Sequence, residues 1–492
     1  MFTSVVQAIF AHAKKDPSKL CVADDVKALS YDEYVKKILK ISNYLKSLNV
    51  KKGDKILVEA SQTVDFLALE TAVHLLGAIF VPFIANCHIQ KIISFIKKVT
   101  PSLVILNRFD NERQDCITVS SLTINSVIEN ADNYECLTNF SFPQEHDVSE
   151  ILFTTGSTGD EKGIMISFAN NVAIAENVIH GVLLKNDNVE FILSPFNHSH
   201  GLRRYYANML QGASVIMQNS VVYIKNIFDK IEKYHVNSMD MVPSALTLFL
   251  KLSKDHLAKY QNSMRYIQLG AAPILEGNKE KLRKLLPKTK LYNMYGSTES
   301  GVSCVYEFSS DTKANCIGQP AYNSIIFVVD DQRREIKSSR EHPGYLACKS
   351  KANMLSYYGT NTQSVTDVLQ NGIVYSNDIV YFDDDGALIL LGRRGSIINI
   401  GGHKVSPLEI ESVAVTYEGI NDCACIPVND EELGQVPKLF IQLNSNKEAF
   451  NEEDLRKYLS CHIAYFMMPK FIEIIDKIPR TNKGSLKWEL LK

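Results

Sequence analysis

A ten-residue segment rich in glycine and hydroxyl side chains carries the clearest chemical signal in this chain. Residues 154–163 read Thr-Thr-Gly-Ser-Thr-Gly-Asp-Glu-Lys-Gly and follow an apolar run at 151–153 that predicts a strand. Glycines let backbone N–H groups approach an anion, hydroxyls add donors, and a lysine adds positive charge. The segment therefore predicts a polyphosphate-binding loop, with a flexible surface linker as the alternative. The candidate contacts are Thr154, Thr155, Gly156, Ser157, Thr158, Gly159 and Lys162.

A second segment, residues 292–299, combines aromatic rings, a glycine, hydroxyls and a carboxylate in the order Tyr-Asn-Met-Tyr-Gly-Ser-Thr-Glu. Tyr295 could stack on a base, Thr298 could donate to a phosphate, and Glu299 could hold Mg²⁺. A capped turn is the alternative interpretation. The position of the segment downstream of the first loop favours a nucleotide site over that alternative.

These segments resemble the signature motifs of the adenylate-forming superfamily, which comprises acyl- and aryl-CoA synthetases, peptide synthetase adenylation domains and luciferases. The resemblance covers nearly the whole chain. It implies an ATP site in which Tyr295, Thr298 and Glu299 contact the nucleotide and Mg²⁺, with Thr298 and Glu299 as catalytic residues. Asp378 matches the aspartate that binds the ribose hydroxyls, and Arg393 is the second ribose or phosphate contact. The small residues Gly270, Ala271 and Ala272 match the wall of the adenine pocket.

The acid-binding pocket is also assigned by resemblance. Residues 195–202 match the Pro-x-x-His-x-x-Gly-Leu segment of acyl- and aryl-CoA synthetases, and the histidine disfavours a conventional α-amino acid. His198 and His200 could instead bind a metal, but no third and fourth ligands stand at sensible spacing. Arg203 could grip a polar or second anionic group, although two solvated arginines at 203 and 204 are the favoured interpretation. The candidate pocket residues are His198, Arg203, Val242, Gly270 and Gly296.

The last hundred residues resemble the superfamily's small domain. Gly395 occupies the hinge position, where glycine suits a large backbone rotation, and Ser396 stands where an aspartate is usual. Gly401 and Gly402 match the glycines that come near the pantetheine arm of the thiol.

Ser485 stands where the resemblance predicts a lysine. That lysine normally stabilises the carboxylate and α-phosphate during adenylation. Lys483 and Lys487 could substitute for it or could be ordinary surface charges. Two residues of extended chain span about 6–7 Å, so either lysine needs a different backbone path. Lys483 and Ser485 are therefore candidate catalytic positions, and the departure puts the first half-reaction in doubt.

Alternating strand and helix patterns position these segments and predict an α/β fold. A Ser-Tyr-Asp-Glu sequence at 30–33 predicts a capped helix, residues 55–58 and 78–82 predict strands, and residues 379–391 predict a hairpin. The clearest boundary lies near residue 392. We expect a large N-terminal α/β domain, residues 1–392, and a smaller mobile C-terminal α+β domain, residues 393–492. The second should begin with a helix at Ser406-Pro407.

The bulk composition argues against several classes of protein. The 492 residues are 45% apolar and 22% charged with a formal net charge of −2, which gives no sign of nucleic-acid binding. No apolar run approaches the ~20 residues of a membrane span, and the N-terminus lacks a secretion-signal pattern. Ten scattered cysteines suggest reduced, mostly buried thiols in a cytoplasmic protein.

The expected function is ATP-dependent activation of a small carboxylic acid through an acyl-adenylate, followed by transfer to a thiol. Coenzyme A is the first choice of acceptor. The phosphopantetheine arm of an acyl or peptidyl carrier protein is the runner-up, since both present the same arm. The third hypothesis is a non-catalytic nucleotide- or acyl-binding protein, which Ser485 motivates.

Overall fold

The structure is a computed structural model. It describes residues 2–109, 111–155, 161–310, 313–359, 365–400, 403–444, 450–480 and 486–491. In this part of the chain helices and strands alternate through the first three hundred residues, as the sequence predicts. The helices are α1 (Val5–Lys15), α2 (Tyr31–Ser47), α3 (Val64–Leu75), α4 (Ile89–Val99), α5 (Asn111–Cys116), α6 (Ile124–Asp132), α7 (Phe168–Val182), α8 (Ser199–Gln211), α9 (Ile224–Tyr234), α10 (Pro243–Ser253), α11 (Glu276–Leu285), α12 (Pro407–Ala414) and α13 (Glu452–Ser460).

The strands fall into three sheets. In chain order they are β1 (Leu20–Ala23), β2 (Ala28–Ser30), β3 (Lys55–Glu59), β4 (Ile79–Phe83), β5 (Leu103–Leu106), β6 (Ser121–Thr123), β7 (Val148–Thr155), β8 (Glu161–Ser167), β9 (Val189–Ile192), β10 (Ser214–Met217), β11 (Ser238–Met241), β12 (Tyr266–Gly270), β13 (Lys290–Ser297), β14 (Gly301–Glu307), β15 (Cys316–Pro320), β16 (Ser324–Val329), β17 (Gly344–Ser350), β18 (Ser356–Tyr358), β19 (Leu369–Gln370), β20 (Ile373–Phe382), β21 (Leu388–Arg393), β22 (Ile398–Ile400), β23 (His403–Val405), β24 (Ile420–Asp430), β25 (Gly434–Leu443) and β26 (Phe471–Ile474). Short 3-10 helices lie at His256–Tyr260, Tyr465–Met467 and Trp488–Leu490.

Local sequence explains where the elements begin. The hydroxyl of Ser30 accepts from the backbone of Glu33, whose carboxylate accepts from the backbone of Ser30, and this capping box starts α2. The predicted hairpin is formed by β20 and β21, which pair in antiparallel register from Phe382–Leu388 to Asp378–Arg393. Helix α12 begins at the predicted proline, and its N-cap is Ser406.

Four parallel strands in the middle of the largest sheet position the candidate site. Strands β9, β11, β12 and β13 are neighbours, and each pairs in parallel with the next. Their carboxyl ends therefore meet at one edge of the sheet, where ligands bind in many parallel sheets. Each of the sequence segments predicted to bind nucleotide base or acid follows or ends one of these strands.

The chain changes sheets between Arg393 and Ile398. Strand β21 lies in the fourteen-stranded sheet, whereas β22 to β26 form a five-stranded sheet with its own apolar core around Ile398, Ile410 and Leu439. These observations match the expected class, a large α/β part followed by a small α+β part. The division at residue 392 stays a prediction.

Two bulk expectations can be compared with the structure. All ten cysteines are free, and six of them are buried. In the described ranges, no helix combines the length and apolar character needed to cross a bilayer.

Candidate functional site

A cavity of about 150 Å³ opens at the carboxyl edge of the parallel strands. It brings together residues from four separate sequence segments. Four of the five predicted acid-pocket residues line its wall, among them the glycine of the 292–299 segment, together with part of the predicted adenine wall. The lining comprises Ser194, Pro195, His198, Ser199, His200, Arg203, Val242, Ala271, Met294, Tyr295, Gly296, Ser297, Thr298, Gly301 and Val302.

The 292–299 segment crosses the cavity as the end of β13 and the tight connection to β14. Ser297 pairs with Gly301 across this connection. Gly296 lies so close to the partner strand that a Cβ atom would stand 1.9 Å from the carbonyl oxygen of Gly301. Only glycine fits that approach, and it exposes Thr298, whose hydroxyl lies 3.3 Å from that of Ser199.

Arg203 is buried, and it stabilises the connection between β13 and β14. Its guanidinium donates to the carbonyls of Ser297 at 3.1 Å and Thr298 at 3.2 Å. Burial lowers the pKa of Arg203 to about 10, so it remains charged at neutral pH, with the Glu150 carboxylate opposing the shift. Arg204 is also buried and donates to Glu190 at 2.7 Å. The favoured interpretation of two solvated arginines is therefore wrong, because the helix face that carries them packs against the sheet.

Lys162 and Glu299 both contact Tyr357, one at the ring and the other at the hydroxyl. The Nζ atom of Lys162 stands 5.0 Å from the ring centroid of Tyr357, whose hydroxyl donates to Oε1 of Glu299 at 3.1 Å. Thr154 pairs with Lys162 across β7 and β8, so the strands that flank the glycine-rich segment end beside Glu299. A cation and a carboxylate that contact the same tyrosine are groups of the kind that can bind a polyphosphate and a metal ion.

Asp378 forms a third cluster with Tyr295 and Arg393. The Tyr295 hydroxyl donates to one oxygen of Asp378, and Nε of Arg393 donates to the other at 2.9 Å. Burial and the Asp378 carboxylate raise the pKa of the Tyr295 phenol, so this hydroxyl stays protonated. Asp378 raises the pKa of Arg393, whose side chain is three-quarters exposed. Tyr295 also lines the cavity, and a carboxylate held beside it is a group that can accept from paired hydroxyls.

The two histidines have different surroundings. His198 is the N-cap residue of α8, and its Nε2 lies 3.2 Å from the side-chain amide of Asn197. His200, the second residue of α8, donates from Nε2 to the fully buried Asp240 at 2.9 Å. Gly270 lies directly against the His200 ring. Among the described residues no three His, Cys, Asp or Glu side chains are grouped to hold a metal ion.

A buried polar network supports the floor of the site. The hydroxyl oxygen of Tyr206 lies 2.9 Å from Glu70 and 2.8 Å from Glu150, and its single proton can be donated to either carboxylate. Nδ1 of His74 lies 2.8 Å from Glu70. Burial raises the pKa of the Glu150 carboxyl. Burial lowers the pKa of His74, but Glu70 and Glu150 outweigh that effect and raise it overall. The network anchors α8, and with it Arg203, to α3 and β7.

Several predicted residues fall outside the described ranges. They are Gly156, Ser157, Thr158, Gly159, Gly401, Gly402, Lys483 and Ser485. Thr155 ends β7, Ala272 is half-buried beside the exposed Ala271, and Gly395 adopts a positive φ of 89° in the turn after β21. The sequence interpretation missed Tyr357 and Asp240, which stand in no recognisable motif.

Comparisons with known proteins match nearly all of the chain. The family model described as AMP-binding enzyme matches residues 9–358, and the model described as AMP-binding enzyme C-terminal domain matches residues 409–485. The 4-coumarate–CoA ligase 3 of Arabidopsis thaliana is 22% identical over 97% of this chain and 88% of its own. The 2-succinylbenzoate–CoA ligase of Geobacillus sp. (strain WCH70) is 25% identical over 100% of this chain and 98% of its own.

The fold also matches a solved structure. The crystal structure of ATP-bound MatB from Rhodopseudomonas palustris superposes with a TM-score of 0.88. The two chains are 21% identical, and the match covers 100% of this chain and 98% of that one.

Proposed function

The chain belongs to the AMP-binding enzyme family of the adenylate-forming superfamily, and from that premise we propose that it activates a small carboxylic acid with ATP and transfers the acyl group to a thiol. The observation that carries the proposal is that three clusters meet at the 292–299 segment, of which Met294 to Thr298 line the cavity. The clusters are Lys162 with Tyr357 and Glu299, Asp378 with Tyr295 and Arg393, and the Arg203-supported connection that carries Thr298. Family relatives that act as CoA ligases support the same activity.

The proposed first half-reaction is attack of the acid carboxylate on the α-phosphate, which gives an acyl-adenylate and pyrophosphate. In it, Thr298 donates to phosphate oxygens from the connection that Arg203 holds rigid. Lys162 neutralises phosphate charge, and Asp378 positions the ribose. The cavity size favours a short acid, since about 150 Å³ lies below the roughly 300–1,000 Å³ of pockets for drug-sized ligands.

The residues present fit a magnesium ion. One oxygen of Glu299 accepts from Tyr357, while the other receives no hydrogen bond within the described part of the chain. When bound there, Mg²⁺ would neutralise the phosphate oxygens and the charge of the leaving pyrophosphate.

Coenzyme A is the proposed acceptor of the second half-reaction, because the relatives named above are CoA ligases. The phosphopantetheine arm of a carrier protein is the second candidate. An assay that measures AMP release with each acceptor distinguishes them: coenzyme A alone should accelerate release if the first choice is right.

The decisive experiment is ATP–pyrophosphate exchange across a panel of small acids, with the wild type and with Ser485→Lys. We expect exchange with at least one acid and faster exchange in the variant, which restores the family's lysine. If neither protein exchanges with any acid, the synthetase proposal is wrong and a non-catalytic binding protein becomes the better description.

Glu299→Gln tests the metal-binding role. The amide keeps the size and can still accept from Tyr357 but removes the negative charge, so exchange should fall at least about 100-fold while folding is retained. Glu307→Gln, on the adjacent strand and paired with Lys290 at the surface, is the matched control and should exchange at the wild-type rate. Undiminished exchange in Glu299→Gln, measured against Mg²⁺ concentration, contradicts the role.

A further inference from the structure

Tyr357 is a buried side chain that contacts a cation and a carboxylate of the candidate site. Only 4% of the residue is exposed. Its hydroxyl donates to Oε1 of Glu299 at 3.1 Å, and Nζ of Lys162 lies 5.0 Å from the centroid of its ring. The proposed function gives both charged groups a role but gives none to the tyrosine between them.

Strand β18, which carries Tyr357, joins the two segments that hold those charges. It pairs in antiparallel register with residues 163–165 of β8, directly after Lys162. Just before β18, the backbone N–H of Met354 donates to the backbone carbonyl of Glu299 at 2.7 Å. The main chain therefore links β8 to Glu299 through this strand, and the Tyr357 hydroxyl adds a side-chain link to the same glutamate.

The packing of Tyr357 fixes the direction of its hydroxyl. The ring belongs to an apolar cluster with Ile164, Ala352 and Met354, and a ring packed in this way has little freedom to turn. Burial and the Glu299 carboxylate raise the pKa of the Tyr357 phenol, so the hydroxyl keeps its proton at neutral pH. Glu299 therefore has a fixed donor on one oxygen.

A fixed donor matters here because two other positive charges act on the same carboxylate. Arg203 and Arg393 both interact electrostatically with Glu299. Without the hydrogen bond from Tyr357, the carboxylate could turn towards either guanidinium and away from a metal ion. In metal sites generally, removing the hydrogen-bond partner of a ligating group lowers metal affinity about 10- to 100-fold.

We propose that Tyr357 is a positioning residue for magnesium-dependent nucleotide binding, because its hydroxyl keeps the Glu299 carboxylate in the orientation that binds the ion. This inference rests on the proposed function, since it assigns a further residue to the same site. Tyr357 acts through Glu299 and needs no contact with the nucleotide or the acid.

Tyr357→Phe tests the hydroxyl alone, because phenylalanine keeps the ring, its packing and its contact with Lys162. Calorimetry measures the affinity for a non-hydrolysable ATP analogue twice, with excess Mg²⁺ and with EDTA. The ratio of the two affinities is the gain that magnesium confers. We expect the variant to lower this gain by about 10- to 100-fold and to leave the affinity in EDTA unchanged. A merely structural role would lower both affinities together.

Tyr358→Phe is the matched control. It makes the same chemical change at the next residue of β18, but the Tyr358 hydroxyl donates to the carbonyl of Val99 at 3.1 Å. This variant should keep the wild-type gain. Adding Tyr357→Phe to Glu299→Gln should lower the gain no further, since the hydroxyl acts only through the carboxylate.

A measurement on the wild type covers the case in which Tyr357→Phe does not fold, which thermal unfolding reveals. Mg²⁺ is added to the protein with the bound ATP analogue, and the ultraviolet difference spectrum of tyrosine is recorded. An ion bound by Glu299 withdraws charge from the acceptor of the Tyr357 hydroxyl, so a tyrosine signal should appear and should be absent in Glu299→Gln. A wild type without this signal overturns the inference.

The outcomes separate the two proposals. An unchanged gain in Tyr357→Phe, equal losses of affinity with and without Mg²⁺, or additive losses in the double variant overturns the positioning role, and pyrophosphate exchange by the wild type then leaves the proposed function standing. A gain that depends on Tyr357 without exchange of pyrophosphate for any acid does the reverse. A wild type that binds no nucleotide overturns both.

Discussion

Position 296 tolerates no side chain, because a Cβ atom there would stand 1.9 Å from the carbonyl oxygen of Gly301. Gly296→Ala must therefore move the connection that carries Thr298 and rests on Arg203. We expect loss of about 2 kcal/mol or more of stability and at least about a 10-fold fall in exchange. Thermal unfolding and exchange assays measure the two effects.

Gly277→Ala is the control for that substitution. Gly277 lies in α11 with no atom within 4 Å of its added Cβ, so alanine should be neutral or stabilise by up to about 1 kcal/mol. An alanine at position 296 that behaves like the one at 277 contradicts the steric argument.

Residue identity alone predicted much of the clustering but not all of it. Hydroxyls, glycines and carboxylates within short segments indicated a nucleotide site, and Tyr295, Asp378 and Arg393 do lie in contact. Asp240 and Tyr357 were missed because no local pattern marks them. Asp240 is 40 residues from its partner His200, and Tyr357 is 58 residues from its partner Glu299. The roles of all these residues in catalysis stay predictions until they are mutated.

At the scale of elements, local patterns predicted helices and strands well. The capping box at Ser30, the hairpin of β20 and β21, and the proline start of α12 each depend on neighbours in sequence. The order of strands was not predictable, since β1 pairs with β10 across nearly two hundred residues. That order depends on long-range packing, which single-segment patterns do not encode.

Helix α12 carries a half-buried glutamate whose raised pKa should make the small sheet sensitive to pH. Glu411 accepts from the backbone of Cys425 at 2.7 Å, and burial raises its pKa to about 7 from the model-peptide value of 4.5. The folded state therefore binds this proton more tightly than the unfolded state. Its stabilising contribution is complete below pH 4.5 and is lost as pH rises to about 7, at most about 3 kcal/mol.

Glu411→Gln should remove the fall in folding stability that accompanies ionisation of Glu411 as the pH rises. Above pH 7 the variant should be more stable than the wild type, and the difference should shrink towards pH 4.5. Glu418→Gln, on the segment that follows the same helix, serves as the control for the loss of a negative charge. Denaturant unfolding at several pH values measures the effect, and a pH-independent difference would count against it.

For the whole molecule, the turn after β21 is the predicted hinge between the two parts of the chain. Gly395 has a positive φ of 89° with no atom within 4 Å of an added Cβ, so alanine there raises the energy of this conformation by about 1–2 kcal/mol through backbone strain alone. If Gly395 is the hinge, Gly395→Ala should change the ratio of adenylation to thioester formation by about 5- to 30-fold.

Gly386→Ala provides the comparison. Gly386 also has a positive φ, 73°, and open space, but it lies in the β20–β21 hairpin turn. It should lower stability by a similar amount and leave the ratio of the two half-reactions unchanged. Equal ratios in both variants, from rapid-quench measurements of each half-reaction, would place the hinge elsewhere.

The Asp378–Arg393 pair lies two residues before Gly395, on the last register step of β20 and β21. Ribose hydroxyls that donate to Asp378 would compete with Arg393 for its carboxylate, and Arg393 is separated from the turn at Gly395 by about 7 Å of backbone. Under the proposed function, binding and release of the nucleotide would then determine when the C-terminal part moves between the two half-reactions. The order of the two half-reactions would depend on the state of a single ion pair, Asp378–Arg393.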